Sequence, residues 1–290
     1  MVVPYTAGST LDARARVIAE AIGQRLERRV TVENRPGAGG TIGAQFVARS
    51  KPDGATLLFH NNSHVVSPRI YTKAGYNPIT DFVPVTQTYT SGLVLVAHPS
   101  LGVASVKDLV ALAQRQSMPL TYASSGTGGL PHLAMEMFRR TAGIDLLHVP
   151  YKGDGQALSD LLAGRVSLMM SGYTVVQPHV IAGTLRALAV TGGDRAGILP
   201  GVPTIAESGY PNCRLDAWVG FFAPASTPGP VIERLNREIA AAVMVPGVRM
   251  HLASTGAVVV VNPQAEFAAF VRLEWERYGA LVREMGLETE

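Results

Sequence analysis

Short apolar runs alternate with segments whose apolar residues recur every three to four positions along almost the whole chain. That alternation predicts strands and helices in turn, and so an α/β fold with mainly parallel sheets. "VVPY" reads as a strand, followed by a helix from about Asp12 with Ile18, Ile22 and Leu26 stacked on one side. "RVTVEN" reads as the next strand, "RPGAGGTIG" opens a helix running through "AQFVARS", and "DGATLLFHNN" supplies a turn and a third strand. "FVPVTQ" and "GLVLVAHPS" continue the series as strands.

A second cycle starts with the helix "SVKDLVALAQRQ". It continues through strand "PLTYASS", helix "PHLAMEMFRRTAG", strand "LLHVPY", helix "GQALSDLLAGR", strand "VSLMMS", helix "VVQPHVIAG" and strand "LRALAVTG". "AWVGFFAPAS" then reads as a strand leaving this unit, and "PGPVIERLNREIAAAVM" and "PQAEFAAFVRLEWERYGALVREMG" as closing helices, the first with proline near its start. Two α/β units joined by two extended crossings, near "LVLVAHPS" and "AWVGFFAP", follow from this order. We expect residues 1–98 with 218–290 to form the first lobe and 99–217 the second, with a ligand cleft between them.

The bulk numbers narrow the class. A chain of 290 residues with 47% hydrophobic and 16% charged residues is globular material, long enough for one large or two medium domains. The net charge is only +3, and the Lys and Arg residues are scattered without interleaved aromatics, so there is no nucleic-acid footprint. The single cysteine, Cys213, excludes an internal disulfide and a cysteine-rich metal site. No apolar run approaches the ~20 residues that span a bilayer, so no direct membrane insertion is expected. The chain begins almost inside a strand and shows no signal peptide; we expect an export signal to have been trimmed.

Two loops carry the candidate chemistry. "YTAGSTLD", Tyr5 to Asp12, lies at a strand-to-helix junction, where the first helical N–H groups lack partners and the helix dipole adds positive charge. Gly8 lets the backbone approach closely, and Thr6, Ser9 and Thr10 supply hydroxyls beside Ala7, making an anion seat without a cation. The plainer reading is that Ser9 and Asp12 form a capping box that starts the helix. Asp12 either caps that helix or meets a cationic or hydroxyl part of a ligand. "YASSGTGGLPH", Tyr122 to His132, repeats the arrangement: Ser124, Ser125 and Thr127 offer hydroxyls, and Gly126, Gly128 and Gly129 offer backbone N–H groups. Ordinary Gly- and Ser-rich turns would give the same composition. Two such loops in corresponding places nevertheless suit a pincer closing on one ligand.

Lys152, in "VPYKGDG" after Tyr151, is the one cation placed near the cleft. A ligand with several negative charges would call for Arg forks, whereas these donors suit one or two carboxylates on a small molecule. Other motifs fail. "GAGGTIG" does not fit a dinucleotide loop and has no Walker lysine. His60 and His64 flank the loop "NNS" and read as loop-lining residues rather than a metal pair. No nucleophile elbow, H-E-x-x-H or triad spacing is present, so neither a catalytic residue, a cofactor nor a metal is expected.

Several segments, taken in order, closely resemble the substrate-binding proteins of tripartite tricarboxylate transporters, first called Bordetella uptake gene products. They are "VPYTAGSTLDARAR", "VENRPGAGGTIGA", "KPDGATLLF", "YASSGTGGLPHLAMEMF", "HVPYKGDGQALSDLLAGRV" and "LRALAVTGGDRAGILPGVPTIAESGYP", and the likeness runs from Val3 to Gly286. The resemblance implies a two-lobe, Venus-flytrap periplasmic-binding-protein fold of type II with two crossing strands. It implies a ligand facing Tyr5 to Asp12 in the first lobe and a carboxylate gripped by Ser124 to Gly129 in the second, with His132 at the family's usual histidine. The chain departs from the pattern at Thr6, Ala7, Ser9 and Pro131. It also has Ser171-Gly172 where family members often carry an acid, which weighs against an amino-acid ligand and toward an unaminated carboxylate.

The resulting expectation is a monomeric periplasmic solute-binding protein that takes up a small carboxylate by population shift. It would deliver this ligand to the large and small integral-membrane subunits of a transporter. Asn61, Ser63 and Tyr173 would line the middle of the site, and Trp218 its wall near the hinge, with Phe59 adding apolar character. A ligand-binding sensor feeding a signalling receptor is the alternative, and a hydrolase the poorest fit.

Overall fold

The structure, a computed structural model, describes residues 1–71, 73–213 and 215–287. In chain order the first elements are β1 (Val2–Val3), α1 (Thr10–Leu26), β2 (Glu33–Asn34), α2 (Thr41–Ala48), β3 (Leu58–Asn61), α3 (Ser63–Ile70) and β4 (Phe82–Ser91). Then come β5 (Leu93–Ala97), α4 (Val106–Arg115), β6 (Leu120–Ser124), α5 (Leu130–Ala142), β7 (Leu146–Pro150), α6 (Asp154–Leu162), β8 (Leu168–Gly172), α7 (Tyr173–Ile181) and β9 (Arg186–Val190). The chain ends with β10 (Ala217–Pro224), α8 (Gly229–Val243), α9 (Pro246–Ser254), β11 (Ala257–Val259) and α10 (Gln264–Glu284). These elements make two compact α/β units, one from residues up to Thr90 plus those from Trp218 onward, the other from Ser91 to Ala217.

The first unit holds a six-stranded sheet in the order β11-β4-β10-β3-β1-β2, and the second a five-stranded sheet in the order β7-β6-β8-β5-β9. Both sheets are mixed, where the sequence pattern led to an expectation of mainly parallel ones. β1 pairs parallel with β2 and β3, and β6 with β7 and β8, but β10 runs antiparallel to β3, and β5 antiparallel to β8 and β9. The reversed strands are those at the points where the chain passes between units. The first passage also lies earlier than expected, at Thr90/Ser91 rather than after residue 98. Its "LVLVA" run is buried at every position because it forms an interior strand of the second sheet.

Three elements escaped the sequence pattern: α3, α9 and β11. In α3 a histidine, a serine and Pro68 interrupt the apolar period, and burial of five of its eight residues holds the helix instead. "RVTVEN" pairs only at Glu33–Asn34.

In the first unit the buried side of α1 (Ala15, Ile18, Ile22) shares a core with Phe59, Tyr89, Phe221, Ile239 and Val243. The ring centroids of Phe59 and Phe221 are 4.8 Å apart. Val94, Val96, Ala123, Leu161, Met169 and Val176 centre the second. Each unit also buries a histidine pair. His60 and His64, both 0% exposed, lie 5.7 Å apart in the first unit, among Tyr76, Phe82 and Phe222. They are core residues on β3 and α3, not loop-lining ones. Burial pushes His60 down to about 3, and burial followed by the neighbouring His60 holds His64 well below the usual range. In the second unit His132 and His148 stack 3.9 Å apart; burial, then His148, takes His132 to about 4, and burial also lowers His148.

Two outcomes are expected. A Cβ on Gly220 of β10 would lie 2.3 Å from Phe267 Cζ and 2.9 Å from the Thr86 carbonyl oxygen. Gly220→Ala should therefore cost about 1–3 kcal/mol. Thermal unfolding would register this as a drop of several degrees, and an unchanged melting temperature would refute the packing described. The four histidines fold in their neutral form, whereas an unfolded histidine takes a proton below about pH 6.5. Their contribution is thus complete above that pH and is lost as the pH falls, each histidine adding a slope of up to about 1.4 kcal/mol per pH unit. Urea midpoints measured from pH 7.5 to 4.5 should decline from near 6.5 downward. A flat profile would contradict the buried neutral pairs.

Candidate functional site

In the first unit, β1, β2 and β3 run parallel, and the chain leaves each toward a helix from the same edge of the sheet. Such an edge collects helix N-termini, whose first N–H groups point outward unsatisfied. The loop after β1 is held by one carboxylate. Asp12 Oδ2 accepts from the Gly8 N–H at 2.9 Å and from Arg16 Nε at 3.0 Å. Asp12 Oδ1 accepts from Arg16 at 3.0 Å and from Asn34 Nδ2 at 2.8 Å. The Asp12 N–H in turn donates to Ser9 Oγ at 3.2 Å, which makes Ser9 the cap of α1. Burial opposes ionisation of Asp12, but these hydrogen bonds, that of Arg16 foremost, outweigh it and hold the carboxyl below its usual range.

Of the two sequence readings of Asp12, the cap is the one realised. Both carboxylate oxygens and the Gly8 N–H are committed inside the loop. Gly8 has φ +82° with open space around its Cα, so a glycine is required there by backbone conformation rather than by crowding. The N–H groups of Thr10 and Leu11 make no hydrogen bond among the described residues, and Thr6, Ala7 and Thr10 are exposed. Beside them Tyr5 Oη donates to Asn61 Oδ1 at 2.9 Å, and the Ser63 N–H donates to the same oxygen at 3.0 Å. Tyr5, Asn61 and Ser63 are thus brought together at the ends of β1 and β3. The glycines of "GAGGTIG" serve packing: a Cβ on Gly40 would lie 2.7 Å from the His60 ring, and one on Gly43 2.8 Å from Pro4.

The second unit repeats the plan. β6, β7 and β8 are parallel, with Ser124 level with Pro150, and their ends lead into α5, α6 and α7. The three loop glycines expected to offer N–H groups do not offer them. Gly126 N–H donates to Ser124 Oγ at 3.3 Å, Gly128 N–H to His132 Nδ1 at 2.9 Å, and Gly129 N–H to the Gly126 carbonyl at 3.4 Å. The glycines shape the loop, with φ +142° at Gly126 and +77° at Gly128, and the residues between them carry the donors. The N–H groups of Ser125, Thr127 and Leu130 have no partner among the described residues, and Thr127 is exposed. His132 fixes this shape because its neutral ring leaves Nδ1 free to accept. Buried Ser124 also lies 2.7 Å from His148 Nε2.

The remaining predicted residues divide. Lys152 is exposed, while Tyr151 Oη donates to Asp160 Oδ2 at 2.8 Å and is turned along α6. Ser171, at the end of β8, is 0% exposed. Tyr173 is buried against Gly92, and burial, then Asp216, raises its hydroxyl. Trp218 is not a wall residue: its ring is 1% exposed against Phe222, Phe267 and Phe270, and its indole N–H donates to Glu274 Oε2 at 2.9 Å. Phe59 likewise belongs to the core. Sequence reading missed Asp154, the first residue of α6, which stands beside Ser125 and Ser171. Its only signal was an acid placed two residues past "PYK", opening a helix at the same sheet edge. Among the described residues no cluster of three or more His, Cys, Asp or Glu could hold a metal, and no helix is long and apolar enough to cross a membrane.

Residues 14–287 match the model of the tripartite tricarboxylate transporter family receptor. Among solved structures, the periplasmic binding protein BugD is 32% identical, with a TM-score of 0.84 over 100% of this chain and 98% of its own. A protein of R. palustris solved with adipate is 33% identical, with a TM-score of 0.86 and 98% and 96% of the two chains covered. MatC of Rhodopseudomonas palustris, solved with bound malate, is 30% identical, with a TM-score of 0.81 and 97% of each chain covered. The fold is thus the two-lobe α/β fold of periplasmic binding proteins. The chain belongs to the tripartite tricarboxylate transporter receptor family, whose members are periplasmic solute-binding proteins and not enzymes.

Proposed function

We propose that this protein captures a small carboxylate in the periplasm by engaging it with a loop from each unit at once. It then hands the ligand to the large and small integral-membrane subunits of a tripartite tricarboxylate transporter. The observation that carries this reading is the matched pair of sheet edges. Each presents hydroxyls and N–H groups without partners among the described residues: those of Thr10 and Leu11 in the first turn of α1 in one unit, and those of Ser125 and Thr127 in the loop and Leu130 at the start of α5 in the other. Oriented N–H groups and a helix dipole hold a carboxylate without a formal cation. The adipate and malate bound by two relatives of similar fold support a dicarboxylate-sized ligand.

In this reading Asp12 and His132 position the loops, and Ser125 and Thr127 grip the carboxylate. Asn61 and Ser63 bound the middle of the ligand, and exposed Lys152 adds attraction at long range. Binding works by population shift, since a ligand that touches both loops favours the arrangement in which both can reach it. The membrane subunits then recognise that arrangement.

A thermal-shift screen against mono-, di- and tricarboxylates, aromatic acids and amino acids tests this reading. A true ligand at a hundred times its dissociation constant should add about 2.7 kcal/mol of stability. The shift should shrink, because two hydroxyls are lost while the backbone N–H groups stay, when Ser125 and Thr127 are both changed to alanine and the unliganded melting temperature stays near wild type. A ligand whose shift is unchanged by the double substitution, or a panel without any carboxylate that binds, would refute the assignment.

A further inference from the structure

The edge of the second sheet carries an acid that a simple anion seat does not need. Tyr151 N–H donates to the Ser124 carbonyl at 3.0 Å, pinning the turn after β7 alongside the Ser124–Gly129 loop. The turn delivers Asp154 to the start of α6, where Ser125 approaches it from the loop after β6 and Ser171 from the end of β8. Oδ1 of Asp154 and Oγ of Ser171 are both shielded from water, and neither completes a hydrogen bond among the described residues. An acid that only favoured the α6 N-terminus would keep its oxygens in water or on the helix N–H groups. Burial, the larger influence, raises the carboxyl above its usual range, and the two hydroxyls only partly offset this. No cation is paired with it among the described residues: Lys152, two residues away, is exposed and forms no ion pair there.

We propose that Asp154, with Ser171, is the specificity-determining site of this protein, and that it selects carboxylates bearing a hydrogen-bond donor, an ammonium or a hydroxyl, near the gripped carboxylate group. This rests on the carboxylate reading above and deepens it. An ionised carboxylate only accepts, and a serine hydroxyl can accept as well, so one donor group satisfies both orphaned oxygens. An unsubstituted carboxylate leaves both unsatisfied and brings a second negative charge toward Asp154 with nothing between. With Asp154 at this edge, the absence of an acid at Ser171-Gly172 does not weigh against an ammonium-bearing ligand.

The test is isothermal titration calorimetry with acids that differ at one carbon: succinate, malate and aspartate, and adipate, 2-hydroxyadipate and 2-aminoadipate. Wild type should bind a substituted acid at least tenfold more tightly than its unsubstituted parent. In Asp154→Asn, which keeps the shape and one acceptor oxygen, an ammonium preference should collapse to within about twofold. A hydroxyl preference should persist in Asp154→Asn and disappear in Asp154→Ala, so the two variants separate the two donors. Equal wild-type affinity within a set, or preference for succinate or adipate, overturns this proposal and leaves the carboxylate reading standing. Equal loss across a set in both variants assigns Asp154 a structural role and overturns it too. A wild type that binds no carboxylate overturns both.

Discussion

A helix that starts where a parallel strand ends leaves its first N–H groups without partners, and in this protein that constraint organises everything around it. Three such junctions share one edge of each sheet, after β1, β2 and β3 in one unit and after β6, β7 and β8 in the other. The chain divides the donors into those it satisfies itself and those it leaves open. Asp12 takes the Gly8 N–H, and His132 takes the Gly128 N–H. What stays open are the N–H groups just inside the helices and between the glycines. Donors held in place by their neighbours' hydrogen bonds need little reordering when an anion arrives, which favours affinity.

The two positioning residues show how charge is handled around such a seat. Asp12 would repel an anion if its carboxylate were free, but four hydrogen bonds, two from Arg16, absorb its charge. His132 would attract an anion if protonated, yet burial keeps it neutral so that its ring can accept rather than donate. Asp154 is the exception, an acid at the same edge with one oxygen left unsatisfied among the described residues. A site that occupies its other charges and leaves this one buried and unsatisfied would, on the proposal above, have a polarity: a carboxylate at one place and a donor next to it.

Much of the fold was legible in the sequence because its signals were local. Alternating apolar runs marked most strands, and the periodic stacks Ile18, Ile22 and Leu26 or the proline before "VIERLNREI" marked helices. The two Gly- and hydroxyl-rich loops could be read as helix-capping junctions for the same reason. What could not be read depended on partners far along the chain. That Asp12 is fully occupied depends on Asn34, and that His60 and His64 are core residues depends on Phe222, more than 150 positions away. Leu93–Ala97 reads as a crossing because an apolar run has no address, and only the sheet order places it between β8 and β9. The mistaken assignment of donors to Gly126, Gly128 and Gly129 has a subtler cause. Composition shows which residues allow a tight loop, not which N–H groups that loop then consumes.

The central claim is that backbone N–H groups from both units hold the carboxylate. The most direct measurement is a titration of amide nuclear magnetic resonances in isotope-labelled protein with a dicarboxylate that binds. The account predicts large downfield shifts for the amides of Thr10 and Leu11 and for those of Ser125, Thr127 and Leu130, all saturating at one ligand concentration. The Gly8 and Gly128 amides, already bonded to Asp12 and His132, should move little. Shifts confined to one unit, or centred on Lys152 instead of these amides, would contradict it.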